Sequence, residues 1–220
     1  VNKKNLIITS SKGLVSESMI SHTISLIGIF SRRLDIFFEK KKDPFTRNDY
    51  DFYFSELKNF NELKILIIGL GNIGEKLAEK LFYLGCKIDS ISKNKKINKF
   101  VENQFSYKES YPNLKKYDYV ISLLPENRET LKLLNFNFFS NLNPDSTLIN
   151  IGRGTTINEE DLVRALDKNF FKRAILDVTS VEPLPKDSIM HKHPRIFLTP
   201  HIASFSPSYW PLQEKLFVHN

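Results

Sequence analysis

The stretch Leu63-Lys64-Ile65-Leu66-Ile67-Ile68-Gly69-Leu70-Gly71-Asn72-Ile73-Gly74 decides the fold. Ile65 to Ile68 is an apolar run of strand length, and Gly69, Gly71 and Gly74 follow it at the spacing G-x-G-x-x-G. Ile73, Leu77, Leu81 and Leu84 then recur at steps of three and four, the period of one helix face. Gly69 permits a tight turn, Gly71 lets backbone approach a pyrophosphate, and Gly74 lets the helix pack closely on the strand. The helix N-terminus offers unpaired N–H groups to phosphate oxygens. In isolation the spacing is also that of a turn that merely needs small residues. Set between a strand and a helix, and followed by a second strand at 87–92, it predicts a dinucleotide site.

From 63 to 199, short apolar runs alternate with helix-period segments. Strands are expected at 65–69, 87–92, 119–124, 147–151, 174–178 and 196–199, with helices at 73–84 and 159–166. That alternation predicts an α/β fold, a doubly wound parallel sheet of the Rossmann type. Upstream, Met19, Thr23, Leu26, Ile27, Phe30 and Leu34 predict an amphipathic helix ending near Arg32 and Arg33. Glu39 to Asn61 is rich in Lys, Asp and Asn and broken by Pro44, so it reads as an irregular connection.

The 220 residues carry 32 Lys and Arg against 25 Asp and Glu, a formal charge of +7, with 41% hydrophobic and 26% charged residues. This balance excludes a disordered or collagen-like chain. The longest apolar stretch, 65–71, falls well short of the ~20 residues a bilayer requires, so no membrane association is expected. A single cysteine, Cys86, and the lack of an N-terminal leader pattern point to a reducing, cytoplasmic setting. Four lysines fall within 93–99, but without interleaved aromatics or a recognition motif they do not suggest nucleic acid. His191 and His193 flank a lysine with no third ligand nearby, so no metal is expected. Cys86 follows Gly85 at a strand start and reads as a small buried hydrophobe.

At the end of the second strand an Asp or Glu would bond the ribose hydroxyls of NAD. Ser92 stands there instead, followed by Lys93, Asn94, Lys95 and Lys96, which favours NADP over NAD; a solvated lysine loop is the other reading. Asp89 lies three residues earlier, within the strand, and is not assigned the ribose. Downstream, Arg153 between Gly152 and Gly154, then Glu182, then His201 each follow the carboxyl end of an expected strand, where open parallel sheets hold their ligands. An arginine fork suits a carboxylate or a polarised carbonyl. A histidine beside a carboxylate can hold a proton near neutral pH and pass it to a developing alkoxide. Asn158 reads as the cap of a helix whose first turn carries Glu159, Glu160 and Asp161, acids that the helix dipole favours.

Leu148-Ile149-Asn150-Ile151-Gly152-Arg153-Gly154, Leu176-Asp177-Val178 through Glu182-Pro183-Leu184-Pro185, and Thr199-Pro200-His201-Ile202-Ala203 resemble the signature segments of the D-isomer-specific 2-hydroxyacid dehydrogenases. Gly69 to Gly74 and Ser122-Leu123-Leu124-Pro125 through Glu129-Thr130 follow that family's order, and the likeness runs from about Ile7 to Ser204. Ser92-Lys93 and Leu123-Leu124-Pro125 are most similar to the NADP-using glyoxylate and hydroxypyruvate reductases, ahead of the NAD-dependent phosphoglycerate and lactate enzymes. The resemblance implies hydride transfer from the cofactor to a small 2-oxo acid, giving the D-2-hydroxy acid. His201 is then the proton donor, Glu182 keeps it protonated and oriented, and Arg153 binds the oxo acid and polarises its carbonyl. It also implies Asn72 and Ile73 under the pyrophosphate, Leu124 and Pro125 along the adenosine and nicotinamide-ribose path, and Ile151 and Asp177 near the nicotinamide, with Gly152, Arg153 and His201 also among the cofactor-binding residues. Ser204 is implied beside His201, and a homodimer through the first helix. Residues 1–204 are then a dinucleotide-binding domain with a leading linker and helix. Residues 205–220 begin a return segment to a substrate domain that this sequence lacks, and with it the amides that grip the substrate carboxylate. A non-catalytic dinucleotide sensor, or another nicotinamide enzyme on the same fold, are the alternatives.

Overall fold

The structure, a computed structural model, describes residues 13–39, 46–95, 97–107 and 111–219. The expected likeness before Gly13, and Lys96 of the lysine tract, lie outside these residues. Seven strands form one sheet, all parallel where paired: β1 (Lys64–Ile68), β2 (Lys87–Ser92), β3 (Asn103–Ser106), β4 (Tyr119–Ser122), β5 (Thr147–Asn150), β6 (Arg173–Leu176) and β7 (Ile196–Leu198). Their order is β3-β2-β1-β4-β5-β6-β7. The chain therefore works outward from β1 in one direction, then returns to β4 and builds the other half, which is the doubly wound arrangement.

After the exposed Lys64, β1 is apolar from Ile65 to Ile68 because both of its faces are covered. Ile65 and Ile67 face a core with α1 (Ser16–Ser31) and α4 (Asn72–Tyr83), through Met19, Ile20, Ile27, Leu77 and Leu81. Leu66 and Ile68 face the opposite core with α5 (Phe136–Phe139) and α6 (Glu159–Asp167), through Phe138, Phe139, Leu162 and Leu166. α1 stops at Ser31 as expected, but Leu34 belongs to a separate helix, α2 (Leu34–Glu39), and is exposed. Cys86 is buried, and burial pushes its thiol up to about 11, away from reactivity at neutral pH.

Of the irregular connection expected over 39–61, residues 40–45 lie outside the described residues, and the rest is largely helical. Within it lie the end of α2, the helix α3 (Arg47–Glu56) and a 3₁₀ turn at Phe60–Glu62. The Asp49 carboxylate accepts from the Thr46 backbone N–H and from its hydroxyl at 2.7 Å each, securing the start of α3. At its far end Glu56 accepts from Arg33 (2.8 Å) and Lys172 (2.9 Å), which ties α3 to the end of the sheet. β3 and α5 are further elements the periodicity did not reveal.

Asp89 lies inside the sheet and is only 4% exposed. Its carboxylate accepts from Tyr117 (2.7 Å), Lys116 (2.6 Å) and the side-chain amide of Asn103 (2.9 Å). Burial pushes this carboxyl up, but the Lys116, Tyr117 and Asn103 donors outweigh it and hold it below the ordinary aspartate value. A folded-state value below the unfolded one stabilises the fold above about pH 4 and ceases to do so as pH falls through the folded value. Asp89→Asn is therefore expected to lower stability by about 1–2 kcal/mol at pH 7, with the deficit shrinking below pH 4. Thermal unfolding at pH 7 and pH 3 checks this; a deficit that stays the same at both values assigns it to packing instead.

Candidate functional site

The strand order reverses between β1 and its neighbour β4, and the crevice at such a switch point is where ligands bind in these sheets. The glycine turn sits at the end of β1. Gly69 has φ +104°, and its N–H donates to Ile91 O (2.8 Å), bridging to the end of β2. A Cβ at Gly74 would stand 2.3 Å from Gly69 O, so only glycine lets α4 begin this close to the strand. A Cβ at Gly71 would meet no atom within 4 Å, so the space before the α4 N-terminus is open for a phosphate group. Asn72 opens α4, and its amide donates to Ser16 Oγ (2.9 Å) at the start of α1.

Beside the turn lies a cleft of about 1180 Å³. Of the residues expected at the site, Ile73, Leu124, Pro125, Ile151, Gly152, Arg153, Asp177, His201 and Ser204 line it, together with Met19, Phe205 and Trp210. Glu182 stands behind His201. The Arg153 backbone is pinned at its carbonyl by Asn150 Nδ2 (3.1 Å) and Thr156 Oγ1 (2.6 Å), and one guanidinium N–H donates to Gly152 O (2.8 Å). Gly69, Gly71, Asn72, Gly74, Ser92 and Lys93 are not part of the cleft wall; they stand at and beyond the ends of β1 and β2. Ser92 Oγ donates to Asn94 O (2.8 Å), and Lys93 Nζ meets Glu129 Oε2 at 2.6 Å.

His201 Nδ1 lies 2.6 Å from Glu182 Oε2. A carboxylate only accepts, so Nδ1 carries a proton and Nε2 is the ring nitrogen left for another partner. Glu182 Oε1 accepts from Thr179 N–H (3.1 Å), and the next residue, Ser180, donates its N–H and its hydroxyl to Glu159 (2.7 Å each). Glu159 in the first turn of α6 thus fastens the loop that presents Glu182. The helix is capped as expected, with Asn158 accepting from Asp161 N–H, and Asp161 itself accepts from Phe136 N–H (3.1 Å).

Asp177 does more than border the cleft. Its buried carboxylate accepts from Thr199 Oγ1 (2.5 Å), Ile202 N–H (3.0 Å) and Ala203 N–H (2.9 Å), with His22 Nε2 of α1 at 4.0 Å. These bonds clamp the chain on both sides of His201, whose backbone sits at φ +55° with its N–H on Thr199 O (3.0 Å). A non-glycine residue there is held by its surroundings. The sequence reading missed this clamp, Thr199, and the Glu159 support; only tertiary structure brings them together. His193 lies apart from the cleft, accepting from Arg195 N–H (3.2 Å) and facing Asp167 (3.4 Å). Among the described residues no group of three His, Cys, Asp or Glu side chains is placed to hold a metal ion, and no helix is long and apolar enough to cross a membrane.

An open sheet whose crevice lies at the β1/β4 reversal, with the glycine turn at its mouth, defines a dinucleotide-binding domain of the doubly wound class. Residues 34–203 match the family described as D-isomer specific 2-hydroxyacid dehydrogenase, NAD binding domain, and the chain belongs to that family. It is 38% identical over 144 residues to glyoxylate/hydroxypyruvate reductase A of Citrobacter koseri, a match covering 66% of this chain and 46% of that protein. A solved D-isomer specific 2-hydroxyacid dehydrogenase family protein from Aeromonas salmonicida superposes with TM-score 0.76 at 28% identity, covering 97% of this chain and 65% of that one. A D-isomer specific 2-hydroxyacid dehydrogenase from Xanthobacter autotrophicus, solved with NADPH and MES, shares the fold with TM-score 0.81 at 23% identity, over 100% of this chain and 88% of that one.

Proposed function

We propose that this chain is the cofactor-binding part of an NADP-preferring reductase that converts a small 2-oxo acid of the glyoxylate or hydroxypyruvate kind to the D-2-hydroxy acid. The observation that carries the reading is the 2.6 Å His201–Glu182 pair at a cleft beside the glycine turn. When bound, the dinucleotide supplies the hydride. The open space at Gly71 and the close approach at Gly74 fit its pyrophosphate, and the apolar wall of Ile73, Leu124 and Ile151 fits a flat nicotinamide and its ribose. His201 delivers a proton to the carbonyl oxygen from Nε2, the nitrogen that Glu182 leaves uncommitted. Glu182 fixes the ring orientation, and Arg153 presents its guanidinium to the carboxylate or carbonyl of the acid. The Asp177 clamp holds His201 in place from beneath. Lys93, with Ser92 in place of an acid, supports the preference for a 2′-phosphate.

Fluorescence titration with NADH and NADPH tests the first half of this reading. The unaltered chain binds a dinucleotide, and Gly74→Ala weakens it by about tenfold or more, because the added methyl meets Gly69 O and drives α4 off the turn. No saturable binding of either dinucleotide would remove the reading. Turnover of 2-oxo acids in preference to other carbonyl substrates, measured on the intact protein, tests the second half.

A further inference from the structure

The expected ribose-binding acid is missing at the end of β2, yet the structure brings a carboxylate to that place from the loop after another strand. Glu129 lies in the turn after β4, and its Oε2 stands 2.6 Å from Lys93 Nζ. The Tyr107 hydroxyl, just past β3, donates to the same oxygen at 3.3 Å. Both sides of this contact are pinned. Asn127 Oδ1 accepts from the N–H groups of Glu129 (2.9 Å) and Thr130 (3.1 Å), and Thr130 Oγ1 donates to Pro125 O (2.6 Å), which ties the turn to the cleft wall. Opposite, Ser106 Oγ donates to Lys93 O (3.2 Å). The Glu129 carboxylate raises Lys93 above the ordinary lysine value through its hydrogen bond and its charge. Lys93 is thus held by an anion where a cofactor anion would arrive.

We infer that Glu129 is a cofactor-specificity residue, which opposes the 2′-phosphate by occupying Lys93 and by repelling a second anion at the same spot. The inference rests on the dinucleotide reading above. A 2′-phosphate has to displace Glu129 from Lys93 and leave its carboxylate facing a dianion, whereas a ribose with free hydroxyls leaves the pair intact and can donate to the carboxylate. Lys93 and Glu129 therefore pull in opposite directions, and the balance between them sets how far NADPH is preferred. The pair is exposed, and such pairs are weak enough for a bound phosphate to rearrange.

Titrating NADPH and NADH into the chain and into Glu129→Gln, Lys93→Ala and the double variant tests this. Glu129→Gln should tighten NADPH by about fivefold, roughly 1 kcal/mol, while NADH changes by no more than about twofold or weakens. In the Lys93→Ala background most of that gain should vanish, because the residue whose charge is released is gone. Adenosine 2′,5′-bisphosphate against adenosine 5′-monophosphate should repeat the pattern, since these probes report only the adenosine end. Dinucleotide binding with an unchanged or lowered NADPH-to-NADH ratio in Glu129→Gln overturns the role of Glu129 and leaves the dinucleotide reading standing. An equal gain with and without Lys93 also overturns it, reducing Glu129 to a general surface charge. Absence of binding to either dinucleotide by the unaltered chain overturns both together.

Discussion

On the reductase reading, His201→Asn in the intact protein is expected to lower kcat for 2-oxo acid reduction by on the order of 10²-fold or more, with dinucleotide affinity within about twofold of the original. Asparagine fills much of the same space and can donate a hydrogen bond from its amide, but it has no proton to surrender near neutral pH. The alkoxide that the proposed reaction forms as hydride arrives would then be left without its acid. Because the ring borders the cleft without belonging to the glycine turn, cofactor binding has little reason to change. Glu182→Gln gives a smaller loss, since the amide keeps the loop bond from Thr179 but no longer offers His201 a charged acceptor at 2.6 Å. Steady-state kinetics on glyoxylate and hydroxypyruvate, with binding measured separately, distinguish a chemical from a structural defect. A His201→Asn enzyme that keeps its rate would remove the histidine from the reaction.

Asp177→Ala carries the largest stability effect. Three donors, Thr199 Oγ1 and the N–H groups of Ile202 and Ala203, lose their acceptor at once. The Ala203 bond is buried and the other two are part-buried; a buried unsatisfied donor costs about 1–3 kcal/mol and a part-buried one less, so a total of about 3 kcal/mol is expected. For a domain of this size that lowers Tm by roughly 6–12 °C. The same change frees His201 from its left-handed backbone conformation, so activity falls more than unfolding alone explains at a temperature where the variant is folded. Asp177→Asn, which keeps volume and one acceptor oxygen, sits between the two. A loss below about 1 kcal/mol in Asp177→Ala would show that the loop is held elsewhere.

Much of the architecture was legible because its cause is local. Strands β1, β4, β5 and β6 are buried on both faces along most of their length and so carry apolar residues at successive positions, Ile65–Ile68, Tyr119–Ile121, Leu148–Ile149 and Ala174–Leu176; the glycine turn states its own backbone requirement. β3 reads Asn-Gln-Phe-Ser and stays invisible to hydrophobic patterning because it is an edge strand paired on one side only. α3 was lost for a similar reason: Tyr50, Tyr53 and Phe54 make no sustained apolar face, and Tyr50 and Phe54 remain exposed. The Thr46-x-x-Asp49 cap was the one local signal for it. At the cleft, strand-end positions singled out Arg153 and His201, which line it, and Glu182, which pairs with His201, because an open parallel sheet presents its strand-end loops there. The partners that fix them, Asp177 with the 199–203 loop, Glu159 with Ser180, and Glu129 with Lys93, are distant in sequence and emerge only from packing.

Asp177, Glu182, Thr199, His201, Ile202 and Ala203 all fall between 177 and 203, and the bonds that orient the histidine run among these residues. On the proposed reading, the proton-transfer unit is therefore portable. It is assembled from two neighbouring loops on one edge of the sheet, with Glu159 of α6 as the brace from outside that segment. Exchange of whatever surface grips the rest of the proposed substrate would leave its internal geometry untouched, so selection could retune which acid is accepted without rebuilding the group assigned to protonate it.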